Sequence, residues 1–282
     1  MLAVRGQGLR WWAGRIPAWG LGPVNIGIGE LEHKAFGLAS RPGLVAICGS
    51  KPVATPDGLD ALAVLLRPNE LPEERLLDLD LGLKHKFAET VRDCTFADET
   101  LVLVGEARGR HEVDVDTKRD RLVVIEHHVD AVTTDWFVAG PKPGVQSRAL
   151  AVDVDGDGRY HIAGYTCLDA CEPEGEVRVY SPGGNLDSQI PLGSLGSDWS
   201  GPHDIAWSPA GYAVIALGEL QGQSYVFKVQ AFAPNVYEPL WTYIPNEKGL
   251  QIAFAVAIGP NGEVYGGGIG STNHPVFAVI GG

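Results

Sequence analysis

The sequence predicts an all-β protein, specifically a β-propeller of four-stranded antiparallel blades. The main evidence is a hairpin pattern that occurs five times: an alternating apolar run, a polar turn, and a second apolar run that stops on a glycine. The spacings between successive closing glycines are 56, 59, 54 and 50 residues, which is the period expected of propeller blades. These glycines are Gly49, Gly105, Gly164, Gly218 and Gly268.

The hairpin is clearest at 149–164, where the sequence reads ALAVDVDGDGRYHIAG. A third apolar run follows each hairpin, and a fourth follows most of them, which gives four short strands per repeat. The whole chain is therefore predicted to be one propeller domain of about five blades. The predicted blades are 34–81, 84–140, 145–195, 200–245 and 249–282, with further strands in 1–16.

The two ends of the chain leave two arrangements open. The strand at 2–5 could complete the last blade beside 275–280 and close a five-bladed ring, since closure removes exposed sheet edges. Alternatively, the chain is part of a larger propeller whose other blades lie outside this sequence.

The repeats also contain a tryptophan in the fourth strand, at Trp12, Trp136 and Trp241, with Leu77 and Ile190 at that position in the other repeats. Together with the Asp/Pro-x-Gly turns and closing glycines, this pattern resembles the repeats of bacterial seven-bladed β-propeller proteins. The resemblance implies a secreted or surface protein of uncertain role, and that family has no agreed catalytic residues.

Composition limits the possible partners. The formal net charge of −13 disfavours nucleic acid and anionic membranes as partners. No apolar run is long enough to span a bilayer, and no secretory signal is visible at the N-terminus. The compartment is therefore open, extracellular if the chain belongs to an exported protein, and we expect a monomer.

Asp153, Asp155 and Asp157 form the strongest metal motif. Aspartates at the first, third and fifth positions with glycine at the sixth match the opening of a calcium loop. The twelfth position is Gly164 rather than a bidentate glutamate, so the alternative is an ordinary turn between two strands. Calcium is the only cofactor that the sequence suggests.

Cys167 and Cys171 lie three residues apart in a segment predicted as a loop. Such a pair forms a small disulfide in an oxidising compartment, and the alternatives are two free thiols or part of a metal site.

The histidines suggest a weak catalytic cluster. His33, His85 and His203 each precede a first strand, and Asp204 follows His203 directly. Residues at the starts of first strands share one face of a propeller near its axis, where enzymes place general bases or metals. The alternative is that these histidines belong to polar loops without a shared function.

Two functions follow from this fold. The leading hypothesis is a non-enzymatic module that binds a protein, carbohydrate or small molecule through variable loops such as 108–119 and 165–175. The alternative is a propeller hydrolase or lyase with a His/Asp site at the central channel. An enzyme requires several titratable groups around one cavity, whereas a binding module presents a broad surface.

Overall fold

The structure is a computed structural model of all 282 residues. It describes 2–7, 10–15, 24–28, 34–52, 59–68, 70–77, 88–108, 120–138, 145–168, 172–194, 201–221, 224–234, 236–245, 252–270 and 274–281, with no side-chain description for the first three ranges. No helix in these ranges is long and apolar enough to cross a membrane.

The described secondary structure is entirely β, as predicted. An N-terminal sheet contains β1 (Leu2–Gln7), β2 (Arg10–Arg15) and β3 (Val24–Ile28). The sheet called blade 1 contains β4 (Lys34–Arg41), β5 (Leu44–Pro52), β6 (Leu59–Leu66) and β7 (Glu73–Leu77). Blade 2 contains β8 (Ala88–Ala97), β9 (Thr100–Arg108), β10 (Asp120–His128) and β11 (Thr133–Val138).

Three further sheets match the remaining predicted blades. Blade 3 contains β12 (Gln146–Val154), β13 (Tyr160–Leu168), β14 (Glu172–Ser181) and β15 (Asn185–Ser194). Blade 4 contains β16 (Gly201–Ser208), β17 (Tyr212–Gln221), β18 (Ser224–Phe232) and β19 (Trp241–Tyr243). Blade 5 contains β20 (Ile252–Ile258), β21 (Val264–Ile269) and β22 (Pro275–Ile280).

The N-terminal strands form a sheet of their own. β1 pairs with β2, and β2 pairs with β3. The described pairing of β22 is with β21, and the predicted pairing of the strand at 2–5 with that at 275–280 stays a prediction.

The chain divides into two compact units. The first comprises Met1–Lys118 and Val124–Trp136, and the second comprises Arg119–Val123 and Phe137–Gly282. Blade 1 belongs to the first unit, and blades 3, 4 and 5 belong to the second.

Every first strand of a blade contains a one-residue bulge near its beginning. The ladder register shifts once in each first strand, so one residue has no partner on the second strand. A bulge bends its strand and redirects the side chain of the extra residue. The bulged residues are Phe36, Arg92, Leu150, His203 and Phe254.

The closing glycines are required by these bulges. The residue that precedes the bulge pairs with Gly49, Gly105, Gly164 or Gly268. A Cβ at Gly164 would lie 2.1 Å from the carbonyl oxygen of Arg148, a distance that no side chain can adopt. The glycine therefore allows the two backbones to approach each other at the bulge.

Blade 4 has its glycine at a different position relative to the bulge. Its bulge places Leu217, rather than Gly218, opposite the residue that precedes His203. The glycine lies instead on the first strand, where Gly201 has a φ of 140°, a conformation that favours glycine. In blade 4 the closing glycine Gly218 therefore lies one residue beyond the position that the closing glycines of the other blades occupy opposite the bulge.

Small and medium aliphatic side chains join neighbouring blades in the second unit. One cluster contains Val177 and Ile190 of blade 3 with Ile205 and Ile215 of blade 4. The next cluster joins blades 4 and 5, and Trp241 packs against it. The fourth-strand position therefore packs between blades at Ile190 and Trp241, as the repeat predicts.

A disulfide that the sequence analysis missed cross-links blades 1 and 2. Cys48 on β5 is bonded to Cys94 on β8, with 6.2 Å between their Cα atoms, and both side chains are buried. The two residues are 46 positions apart, so no short spacing revealed the pair. Ser50 supports the same junction, because its Oγ accepts a hydrogen bond of 3.0 Å from the Val91 amide.

We expect Gly164→Ala to lower the free energy of unfolding by about 3 kcal/mol, because backbone must move to admit the new Cβ. The control is Gly156→Ala in the adjacent turn, where an added Cβ meets nothing within 4 Å. We expect that variant to stay within about 0.5 kcal/mol of the wild type in urea denaturation. Equal losses in the two variants would contradict the close-approach explanation.

We expect the double variant Cys48→Ala/Cys94→Ala to lose about 4 kcal/mol of unfolding free energy, since the bond closes a long loop in the unfolded chain. Urea denaturation of the double variant and of the wild type without reductant measures this difference. A double variant as stable as the oxidised wild type would show that blade packing alone holds this junction.

Candidate functional site

The bulged residues of neighbouring blades contact each other, which makes the first strands the best candidate for a site. In the first unit, the guanidinium of Arg92 lies 5.4 Å from the ring centroid of Phe36. Phe36 is 47% exposed, so part of this aromatic surface is open to solvent. Glu106 on β9 is buried and accepts two hydrogen bonds from Arg92, one of them 3.1 Å long from Nε. The result is an oriented cation beside an exposed aromatic ring.

The second unit has a corresponding contact between blades 4 and 5. The ring of His203 meets that of Phe254 edge to face, with 5.0 Å between their centroids. Both side chains are half-buried. The bulge therefore brings a histidine and an aromatic ring together at the beginning of two first strands.

Asp204 connects the same two blades through its carboxylate. Its Oδ2 accepts a hydrogen bond of 2.8 Å from the Val256 amide of β20, and its Oδ1 accepts one of 2.8 Å from the Ile205 amide. Burial, assisted by the negative charge of Asp153, outweighs these bonds and raises the pKa of Asp204 to about 7. Asp204 is therefore close to half protonated at neutral pH.

Asp153 makes the equivalent contact between blades 3 and 4. Its Oδ2 accepts a hydrogen bond of 2.6 Å from the Trp207 amide of β16, and its Oδ1 accepts one of 2.8 Å from the Val154 amide. Two aspartates on consecutive first strands therefore hold consecutive blades together, and the charge of Asp153 contributes to the raised pKa of Asp204.

The carboxylate of Asp155 holds the turn between β12 and β13. The Oδ1 atom of Asp155 accepts hydrogen bonds of 2.9 Å from the amides of Asp157 and Arg159. Its Oδ2 atom lies 2.8 Å from Arg159 Nε and 2.9 Å from His161 Nε2. These bonds occupy a carboxylate whose side chain is only 1% exposed.

The other two aspartates of the motif are directed elsewhere. Asp153 reaches the Trp207 amide, and the exposed Asp157 pairs with Arg159 at 3.2 Å. Among the described residues, no group of three or more histidine, cysteine, aspartate or glutamate side chains could hold a metal ion. The sequence motif brings the three residues into one turn, but their carboxylates do not converge.

Charge within this turn is controlled by burial and hydrogen bonds. Burial alone raises the pKa of Asp155, but the bonds from His161 and Arg159 outweigh it and hold the pKa below its ordinary value. Burial lowers the pKa of His161 despite the nearby carboxylate. A neutral imidazole therefore donates its Nε2 proton to Asp155 and stacks on Trp207, with 4.3 Å between ring centroids.

The remaining predicted site residues are only partly described. His33 and His85 lie outside the described residues, so their predicted grouping with His203 stays a prediction. Cys167 is disulfide-bonded, while its predicted partner Cys171 lies outside the described residues. The segment 165–175 is not a loop as expected, because β13 extends to Leu168 and β14 begins at Glu172.

Blade 3 also contains a buried charged network that the sequence did not reveal. Glu176 accepts hydrogen bonds from Thr166 and Gln189 and lies 2.7 Å from Arg178 Nη2. Glu176 and Arg178 are both buried, and the two strands that hold them and Thr166 are paired. A buried ion pair with this many partners is typical of structural packing rather than of a catalytic group.

Comparisons with known proteins support the fold. No protein-family model and no curated protein matches this sequence. A solved exo-β-1,3-galactanase from Clostridium thermocellum matches with a TM-score of 0.53 at 12% sequence identity, over 99% of this chain and 62% of that chain. A GH43 β-1,3-galactosidase matches with a TM-score of 0.49 at 10% identity, over 87% of this chain and 56% of that one. The chain thus spans less than two thirds of each of these two proteins.

The chain is a β-propeller of four-stranded antiparallel blades, about five in number, as the repeat predicts. The galactanase likeness supports the propeller type and does not support the seven-bladed count of the family that the repeats resemble.

The pKa of Asp204 predicts a specific dependence of stability on pH. Between about pH 4 and pH 7 the folded state keeps a proton that the unfolded state releases, so this group stabilises the fold fully only at low pH. The quantity to follow is the free energy of unfolding of the wild type minus that of Asp204→Asn. This difference should fall by up to about 4 kcal/mol as the pH rises through this range.

Urea denaturation at several pH values measures this difference. Asp157→Asn, in an exposed turn, is the matched control and should keep the pH dependence of the wild type. A difference that stays constant across the range would show that Asp204 ionises normally in the folded protein.

Proposed function

We propose that this chain is a propeller hydrolase that cleaves glycosidic bonds, with its site at the beginning of β16. The observation that carries the proposal is the position of Asp204, which follows the bulged His203 and is held by two backbone amides where burial raises its pKa to about 7. A carboxylic acid with a raised pKa is what glycosidic cleavage needs to protonate its leaving group. The galactanase likeness supports a carbohydrate substrate only through the fold.

Asp153 is the candidate for the second carboxylate. Its negative charge is one of the causes that raise the pKa of Asp204. Most glycoside hydrolases use a second carboxyl group together with the acid. In the proposed reaction, Asp204 gives its proton to the glycosidic oxygen, and water adds to the anomeric carbon while Asp153 accepts a proton from that water.

The aromatic contact beside Asp204 provides a surface for the sugar. Phe254 and His203 are both half-buried, so their rings remain partly accessible. The hydrogen bonds from the Val256 and Ile205 amides hold the carboxyl group in a fixed orientation, which favours a positioned acid.

Disulfide bonding supports an extracellular role for the proposed enzyme. Disulfides persist mainly in oxidising compartments, and this chain contains the Cys48–Cys94 bond and a bonded Cys167. An exported protein would meet extracellular polysaccharides as substrates.

A specific observation favours a second function, a non-enzymatic carbohydrate-binding module. Both oxygens of Asp204 and of Asp153 already accept backbone hydrogen bonds, and the bond to Oδ2 of each joins two blades. In that case these carboxylates are structural, and the exposed Phe36–Arg92 contact provides the ligand surface.

We expect Asp204→Asn to reduce the release of reducing sugar from β-1,3-galactan or another β-glycan by about 10²- to 10⁴-fold, because the proton donor is lost. The wild-type rate should fall as the pH rises above about 7, where Asp204 loses its proton. Asp153→Asn should also lose activity, and Asp157→Asn should keep it.

Circular dichroism and urea denaturation of each variant separate loss of activity from loss of fold. Saturable glycan binding by calorimetry without turnover would favour the binding module over the hydrolase. An active Asp204→Asn variant would exclude Asp204 as the acid.

A further inference from the structure

Two tight turns in blades 4 and 5 enclose a cavity that the proposed hydrolase site does not use. The turns read SPAGY at 208–212 and GPNGE at 259–263, and each joins the first two strands of its blade. The cavity between them has a volume of about 590 Å³, which lies within the usual range of ligand sites. Its described lining comes entirely from the second compact unit. This cavity is the turn groove.

Both turns that form the turn groove have a fixed backbone. A proline occupies the second position of each turn, where its φ is already set. The amide of the fourth residue then donates to the carbonyl of the first, from Gly211 to Ser208 at 2.8 Å and from Gly262 to Gly259 at 3.0 Å. A preformed groove of this kind loses little conformational entropy when a ligand binds.

Aromatic rings form one wall of the turn groove. Trp207 and Tyr212 line it, and both are half-buried, so part of each ring remains accessible. The Trp207 ring is held by His161, with 4.3 Å between the ring centroids. Tyr212 also lines an adjoining cavity together with Trp241 and Tyr243, which continue the aromatic row. The wall therefore offers flat apolar surfaces in succession.

The turn groove lacks charge. None of its described lining residues carries a charged side chain, although the whole chain has a net charge of −13. A charged ligand would lose its hydration here without gaining a counter-ion. The groove is therefore suited to a neutral ligand.

Asn261 provides an oriented polar group at the rim. It is exposed, and its Nδ2 atom donates a hydrogen bond of 2.9 Å to the Glu263 carboxylate, which also accepts the Asn261 amide at 3.2 Å. These bonds fix the side-chain amide and leave its Oδ1 atom as an acceptor for a ligand. Sugar hydroxyls can donate to this oxygen. A proline-rich peptide, the other common ligand of aromatic grooves, has no N–H at its prolines.

We propose that the turn groove is an accessory site that binds a neutral glycan. A pyranose ring has an apolar face that can pack against Trp207 and Tyr212, and its hydroxyls can reach the Asn261 amide. Trp207 lies three residues after Asp204 on β16, so the groove is about 10 Å along the strand from the proposed acid. Binding in the groove does not require cleavage, and this inference does not rest on the proposed hydrolase activity.

Titration calorimetry of the whole protein tests the proposal with neutral trisaccharides of β-1,3-galactan, β-1,3-glucan and β-1,4-xylan. The wild type should bind at least one of them. Tyr212→Ala should weaken that binding about thirtyfold, because an aromatic contact is lost. Asn261→Ala should weaken it about fivefold through loss of one hydrogen bond. Tyr237→Ala is the matched control, since this tyrosine is 66% exposed in blade 4 outside the groove lining, and it should bind like the wild type.

The conditions of the titration separate binding from cleavage. At about pH 8.5 the proposed acid Asp204 has lost its proton, so binding is recorded with little hydrolysis. Because the ligand and the groove lining are uncharged, the affinity should change less than about twofold between low and high salt. Circular dichroism of each variant checks the fold, and the exposed Asn261 allows a test that does not disturb the packing around Tyr212.

The possible results are distinct. A wild type that binds none of the three glycans, or equal affinity in the wild type, Tyr212→Ala and Asn261→Ala, would overturn the proposal. Binding of a proline-rich peptide instead, weakened in Tyr212→Ala, would also overturn it and would make the groove a peptide site. Glycan binding that both variants weaken, without any release of reducing sugar at neutral pH, would support the groove and contradict only the proposed hydrolase.

Discussion

The bulge in each described first strand is the constraint on which the rest of this structure depends. In blades 2, 3 and 5 a carbonyl oxygen of the first strand occupies the space where a Cβ of the second strand would lie, as at Gly105 and Gly268. The bulge shifts the register of the first hairpin and redirects the side chain of the extra residue. Blade 4 keeps the bulge with Leu217 opposite the residue before it and a glycine at Gly201, so it is the bulge that recurs and not the position of the glycine.

The contacts between blades follow from these bulges. The residue after the bulge in blade 4 is Asp204, which accepts the Val256 amide of the neighbouring blade. The same position in blade 1 is Gly37, where an added Cβ would lie 2.8 Å from the Cys94 amide nitrogen. A polar bridge and a close backbone contact thus join adjacent first strands, while the Cys48–Cys94 bond joins a second strand to the next first strand.

This arrangement places structural and chemical roles on the same residues. Asp204 joins two blades in a half-buried position, and the desolvation that comes with this contact is the main cause that raises its pKa to about 7. The residues best suited to acid–base chemistry are therefore also those whose loss weakens the fold. For this reason stability and activity must be measured together for every variant of Asp153 and Asp204.

The sequence alone determined the hairpin period, the strand order within each blade and the closing glycines, because alternation and turn residues are local signals. It also marked His203 and Asp204 as neighbours at the start of a first strand. Only the tertiary structure decided that Asp153 bonds to the next blade while Asp155 and Asp157 share Arg159, because the partner of Asp153 lies on a strand far away in the sequence. The Cys48–Cys94 bond and the Phe36–Arg92 contact join residues far apart in the chain, so their formation depends on how the blades pack and no local pattern reveals it.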